Sequence, residues 1–211
     1  MDERIEHARR LCSHSVFGGE ADVLPVADRE LDAVEADLTL IRGRVLHARF
    51  LEQRTSDERE LELFQHAAHL YRSLGDGRGE AEAQFWIGTY HQVVEGDDAA
   101  ALPALQRSRE LATATGDRLT LSYALRHLGI AEHHAGRLPA ARDLLDESTR
   151  LRRELAFPEG VAANLVGLAY IAAAEGCPAD ARALLDEAAE LAAGAGAKAV
   201  LHSIDEARAE L

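Results

Sequence analysis

Histidine is the residue type in this chain that most readily does chemistry near neutral pH. The chain has 10 histidines among its 211 residues. His127, His133 and His134 fall within one predicted helix, and His91 falls within the helix before it. Such a group could stay solvated, could line a binding surface, or could ligate a metal or transfer protons through His133 or His134. These three interpretations stay open, so the catalytic residues are unknown at this stage.

The spacing of these histidines argues against a metal site. Successive side chains diverge by about 100° around a helix, so His133 and His134 cannot both point at one ion from a regular helix. His127 and His134 lie two turns apart, which is a long reach. The chain contains neither HExxH nor a zinc-type Cys and His cluster, and it lacks GxGxxG, Walker and GxSxG motifs. We therefore expect no metal and no cofactor.

The charge balance restricts the kinds of partner. The chain has 23 Lys and Arg against 37 Asp and Glu, a formal net charge of −14. Nucleic acids and anionic membranes both require a basic face, so neither is expected as a partner. A basic peptide, a neutral small molecule or another protein would be compatible with this charge. The lack of CxxC, of a signal-peptide core and of an 18-residue apolar stretch predicts a soluble, cytoplasmic protein with reduced thiols.

The elements that position these side chains are repeated helices. Ala, Leu, Glu and Arg dominate the composition and favour helix, while alternating strand patterns are absent. Five positions recur at a period of 40 residues. They are Gly96, Gly136 and Gly176; Ala101, Ala141 and Ala181; Leu105, Leu145 and Leu185; Ser108, Ser148 and Ala188; and Leu111, Leu151 and Leu191. Each glycine suits a turn between two helices, so each repeat is predicted to be a helix hairpin that stacks on its neighbours.

Residues 125–148, LRHLGIAEHHAGRLPAARDLLDES, resemble a tetratricopeptide repeat (TPR). Leu128-Gly129, Gly136, Leu138 and Ala141 match that family's pattern in order. The period of 40 exceeds the family's usual 34, which implies longer helices or turns. The resemblance covers roughly residues 57–193 and implies an all-α fold, a right-handed superhelical solenoid of antiparallel helix hairpins.

This organisation divides the chain into an N-terminal segment, a repeat region and a cap. Residues 1–28 are predicted to form a helix (about 2–13) and a loop (14–28), and residues 197–211 a capping helix. The repeats are placed at about 29–75, 76–115, 116–156 and 157–196. The first begins with a long helix, 29–54, whose apolar residues alternate by three and four: Leu31, Val34, Leu38, Ile41, Val45, Ala48 and Leu51.

Two details of the helix ends are also predicted. Pro103 lies well inside a predicted helix, so that helix is expected to start late or to kink there. Residues 192–197, AAGAGA, are expected to break the last repeat helix.

In the family, the first helix of each hairpin lines the concave surface. That register implies a polar and partly aromatic groove wall, and the predicted wall residues are Trp86, Tyr90, Tyr123, Arg126, His127, His133, His134 and Tyr170. In such a wall, aromatic rings would stack on a ligand and Arg126 would anchor a carboxylate.

The resemblance therefore favours a non-catalytic binding or scaffolding protein that recognises a peptide or protein, perhaps a basic one, in its groove. The alternative is a small-molecule binder or biosynthetic enzyme with a His-, Tyr- and Arg-lined pocket, roofed by the 14–28 loop. Self-association into a homodimer is a further expectation, because terminal repeats expose apolar faces.

Overall fold

The structure is a computed structural model that describes residues 2–211. Within that range every regular element is helical and no strand occurs, which confirms the all-α, repeat-like fold. None of the described helices has the length and apolar character needed to cross a membrane. The α-helices are α1 (Glu3–Gly18), α2 (Leu24–Gln53), α3 (Arg59–Leu74), α4 (Gly77–Thr89), α5 (Asp98–Thr115), α6 (Arg118–His134), α7 (Leu138–Glu154), α8 (Pro158–Ala174), α9 (Pro178–Ala195) and α10 (Lys198–Glu210).

The chain forms two compact units, Met1–Thr115 and Gly116–Leu211. Helix α1, the hairpin α2–α3 and the hairpin α4–α5 make up the first unit. The hairpins α6–α7 and α8–α9 make up the second, together with α10. The helices of each hairpin pack closely on one another, as expected for stacked repeats.

The turns that end the repeat helices follow a rhythm of 20 residues. A residue with positive φ occurs at 96, 116, 136, 156, 176 and 196. Gly136 has φ 73°, its N–H donates to the His133 carbonyl at 2.9 Å, and the next N–H reaches back to the Glu132 carbonyl. This is the hydrogen-bond pattern of a helix that ends in a left-handed residue, where glycine is favoured. The predicted role of Gly136 is thus confirmed.

The repeated small residues allow close helix packing inside the hairpins. A Cβ atom added to Gly88 would lie 2.5 Å from the Leu105 side chain. The hydroxyl of Ser108 donates to the Ala81 carbonyl at 2.8 Å, and that of Ser148 donates to the Ser122 carbonyl at 2.6 Å. The 40-residue period therefore repeats hydrogen bonds as well as apolar contacts.

The predicted loop at 14–28 is mostly helical in the structure. Helix α1 continues to Gly18, and α2 begins at Leu24 after one short 3-10 turn, Ala21–Val23. Pro25 lies in the first turn of α2, where its missing N–H has no helical acceptor to lose. The prediction treated this proline as a helix breaker, whereas it marks a helix start. A loop of this length cannot roof a pocket.

The two predicted irregularities also differ from what the structure shows. Helix α5 begins directly at Asp98 and runs through Pro103 without a late start. Asp97 supports that start, because its carboxylate accepts a hydrogen bond from the Ala100 N–H at 2.9 Å. Irregular backbone lies instead in the π-helical turn Tyr90–Val94. Helix α9 runs through Gly194 and stops only at Gly196, which has φ 67°.

Helix α2 buries a face that differs from its most regular apolar stripe. Its buried positions include Ala36, Leu40, Gly43, His47 and Phe50, which pack toward the hairpin core. The stripe with three-and-four spacing, including Leu38 and Val45, is about half exposed. The periodicity correctly predicted the helix but not which side of it is covered.

Candidate functional site

The eight predicted groove residues are distributed over the two units. Trp86 and Tyr90 belong to the first unit, at the end of α4. The other six belong to the second unit, five on α6 and Tyr170 on α8. Each set is described by itself.

Arg126 projects from α6 toward α8. Its Nη1 donates to the Ala163 carbonyl at 2.7 Å and to the Asn164 side-chain oxygen at 3.3 Å. Burial lowers the pKa of Arg126 to about 10. The side chain is therefore positioned by the neighbouring repeat, and its charge lies in a poorly solvated place.

A second arginine, Arg152 on α7, joins the same cluster and is only 2% exposed. Its Nη1 donates to the Gly160 carbonyl at 2.7 Å and to the Asn164 side-chain oxygen at 2.9 Å. Its guanidinium also lies over the Tyr123 ring, 4.9 Å from the centroid, a cation–π contact. Burial and the charge of Arg126 together lower the pKa of Arg152 to about 9.

Asn164 connects the two arginines to α7. It is fully buried, and its amide nitrogen donates to the hydroxyls of Ser148 at 2.8 Å and Thr149 at 3.2 Å. Its side-chain oxygen thereby points at both guanidinium groups. A neutral amide supplies only a dipole, so it does not neutralise the two positive charges.

Sequence reasoning missed Arg152 and Asn164, although the repeat contains a signal for both. In the 40-residue register, Arg152 occupies the position of Ala112 and Ala192, and Asn164 occupies the position of Ala124. All three alanines are fully buried. A large polar residue at a buried alanine position of a repeat marks a place where one copy has acquired a different role.

The buried charges of the two units are compensated differently. In the first unit, buried Glu60 pairs with His47 Nδ1 at 2.8 Å, and buried Glu80 pairs with Arg72 at 2.9 Å. Among the ion pairs of the described residues, none involves Arg126 or Arg152. Two buried guanidiniums without a carboxylate are energetically unfavourable and therefore suggest a missing anion.

The other α6 residues surround this cluster. The ring of Tyr123 meets the Phe157 ring edge-on at 6.0 Å, which orients it beneath Arg152. The rings of His133 and His134 lie 6.1 Å apart at the C-terminal end of α6. Burial and the neighbouring His134 lower the pKa of His133. His127 lies between these groups in sequence and is half-buried.

Tyr170 has a structural partner in the last helix. Its hydroxyl donates to the Glu210 carboxylate at 2.8 Å and so ties α8 to α10. Burial, followed by this hydrogen bond, raises the pKa of Tyr170 to about 12.

The two predicted residues of the first unit lie in an aromatic cluster. Trp86 stacks on Phe64 at 5.6 Å, meets His47 edge-on at 5.3 Å and lies under the Arg44 guanidinium at 5.4 Å. Tyr90, the first residue of the π-helical turn, is 8% exposed, and burial raises its pKa. Both rings therefore spend most of their surface on packing, which leaves little for a ligand.

Potential metal ligands do not converge anywhere in residues 2–211. No group of three or more His, Cys, Asp and Glu side chains comes close enough there to hold an ion. Cys12 and Cys177 are both free and exposed.

Comparisons with known proteins give one structural similarity. No protein-family model matches the chain, and no curated protein matches it. The crystal structure of BtubC (BKLC) from P. vanneervenii is similar over 92% of this chain and 89% of that one, with a TM-score of 0.48 and 18% sequence identity. Similarity at this level supports no inference about function.

Proposed function

We propose that this chain is a TPR-type binding protein, a right-handed superhelix of helix hairpins, which takes a protein segment in its concave groove. The segment carries a carboxylate that binds at the cluster of Arg126, Arg152 and Asn164. The observation that supports this proposal is the pair of buried guanidiniums without an acidic partner. In this proposal the chain holds its ligand and does not transform it.

A carboxylate suits this cluster on electrostatic grounds. A bound anion would offset the charge of both arginines in a place where water screens little. Arg126 bonds α8 only through Nη1, so its Nε and Nη2 are the donors that remain for a ligand. A guanidinium presents these two N–H groups as a planar fork that matches the two oxygens of a carboxylate.

The net charge of the chain refines the ligand class. At −14 the protein repels polyanions at long range, whereas the Arg126 cluster attracts a negative group at short range. A single carboxylate flanked by Lys or Arg residues satisfies both conditions. Basic flanks would be drawn to the acidic surface, and the carboxylate would fix the register of the segment.

The test compares peptides that differ only at one carboxylate. A library of short peptides with basic flanks would be titrated by fluorescence polarisation, each with a free C-terminal carboxylate and as its amide. We expect binders to prefer the free acid by about tenfold or more, since a buried hydrogen-bonded charge pair is worth roughly 1.5–3 kcal/mol. Arg126→Gln should remove that preference.

The matched control is Arg150→Gln. Arg150 lies on α7 and pairs on the surface with Glu154 at 2.8 Å, so it has the same charge without a place in the cluster. Its substitution should leave peptide affinity unchanged. Equal losses in the two variants, or equal affinity for acid and amide, would contradict the proposal. A small molecule retained in native mass spectrometry would instead favour the pocket alternative.

A further inference from the structure

The outer face of α2 carries an exposed apolar stripe. Leu31, Leu38, Ile41 and Val45 are 44%, 48%, 50% and 46% exposed. Together with Val34 and Ala48 they alternate by three and four residues over positions 31–48. This is the a and d spacing of a coiled-coil seam, which a helix uses to pack against one other helix.

The stripe lies opposite the side of α2 that the hairpin already covers. At 100° per residue, Leu38 and Val45 point away from the buried Leu40 and His47 by roughly half a turn. Helix α1 covers a different flank, where Arg4 pairs with Asp37 at 2.7 Å and His7 Nδ1 contacts Glu30 at 2.8 Å. The seam is therefore open along the C-terminal half of the 30-residue helix.

A row of charges borders the open side of the seam. Asp28, Glu35, Arg42 and Arg49 are spaced by seven residues and are all exposed. The two acidic residues come first and the two basic residues last. An antiparallel copy of the same helix would place Asp28 opposite Arg49 and Glu35 opposite Arg42, each pair twice by symmetry. The row is thus complementary to its own reverse.

We propose that a second copy of this chain covers the stripe, with the two α2 helices antiparallel and related by a two-fold axis near residues 39 and 40. Leu38 of one copy then packs against Ile41 of the other, and four ion pairs flank the apolar seam. An isologous contact of this kind closes on itself and gives a dimer. Apolar seams define affinity, while flanking charges define orientation.

The first test measures the oligomeric state in solution. Sedimentation equilibrium of the full chain should give a dimer at concentrations up to the order of 100 µM. Ile41→Glu should give a monomer with an unchanged helical signal, because residue 41 is half exposed and its change costs the fold little. Leu119→Glu is the matched control: Leu119 is 44% exposed but belongs to the second unit, so the dimer should persist. A wild-type monomer throughout the range would overturn the proposal.

The second test concerns orientation. Arg42→Glu should weaken the dimer by about tenfold, and adding Glu35→Arg should restore it, because the pair is exchanged across the interface. Failure of the double variant to recover would exclude the antiparallel register. Spin labels on Leu51→Cys, with Cys12 and Cys177 changed to Ser, should lie ~35 Å apart. A separation of about 10 Å would indicate a parallel pair and overturn the proposal.

Discussion

Arg126 and Arg152 donate hydrogen bonds to one shared acceptor, the side-chain oxygen of Asn164, at 3.3 and 2.9 Å. Three helices contribute one residue each, so the contact joins α6 and α7 of one hairpin to α8 of the next. The acceptor is neutral and the donors are both charged. The cluster is therefore fully engaged in geometry and unbalanced in charge, and this imbalance is the reason to expect an anion there.

Replacing Asn164 with Asp should stabilise the protein and abolish carboxylate binding. The new carboxylate would accept from both guanidiniums, and hydrogen bonds to charged partners are worth about 1.5–3 kcal/mol each. Ser148 and Thr149 can rotate their hydroxyls to donate to it. Urea unfolding should show a midpoint above that of the wild type. Asn164→Leu is the control and should lower the midpoint, since it leaves two buried charges without an acceptor.

Ala156→Gly should raise the free energy of unfolding by about 0.5–1 kcal/mol. Ala156 has φ 53°, whereas glycine occupies the corresponding turns at 116 and 196. A left-handed conformation costs an alanine about 1–2 kcal/mol, from which the greater unfolded-state entropy of glycine subtracts a part. The change is measured by thermal and urea unfolding.

The reverse substitution in the neighbouring turn provides the comparison. A Cβ at Gly136 would meet no atom within 4 Å, so Gly136→Ala should destabilise through backbone strain alone. We expect a loss of about 1 kcal/mol. If both variants shift stability in the same direction, positive φ does not govern these turns.

The sequence predicts the repeat fold well because turns and close contacts recur at fixed residue types. Gly136 and Ser148 have the same roles as their counterparts 40 residues away. The N-terminal segment has no repeated copy, so its helices could not be checked against a second instance. On α2 the buried face contains Ala36, Gly43 and His47, which contribute little to an apolar count. The larger residues of the exposed stripe produced the stronger periodic signal.

The candidate site could be predicted only in part. The family register led to Arg126 and Tyr123, which do lie beside each other's partners in the second unit. A search for clustered histidines did not lead to Arg152 or Asn164, whose types suggest solvated surface. Their burial depends on tertiary packing between hairpins, and only a comparison between repeat copies would have drawn attention to them.

His133 should titrate below its ordinary value of 6.5, because burial and the positive charge of His134 both disfavour its protonated form. A lowered pKa for a base means that the folded state binds fewer protons, so this contribution to stability is present above pH 6.5 and is lost as the pH falls through the folded pKa. Proton NMR of the imidazole signals would measure it. His134→Gln should raise the His133 pKa by removing the repulsion. An unchanged value would assign the whole shift to burial.

A double-mutant cycle should show that buried Glu60 and His47 stabilise the first unit only as a pair. Glu60 is fully buried and His47 is 5% exposed, and their contact joins α2 to α3. The second carboxylate oxygen of Glu60 has no partner among the described residues, so this charge depends on His47. His47→Leu should therefore cost about 3–5 kcal/mol, since it leaves an uncompensated buried charge.

Glu60→Leu alone should cost less than His47→Leu, because a histidine whose acidic partner is removed can deprotonate and become neutral. The double variant should lie close to the wild type, since two apolar residues of similar size replace the pair without unpaired charge. Urea unfolding of all four proteins gives the coupling energy directly. Additive losses in the cycle would show that the two side chains act by packing alone, against Trp86 and Phe50, and that their charge interaction contributes nothing to the fold.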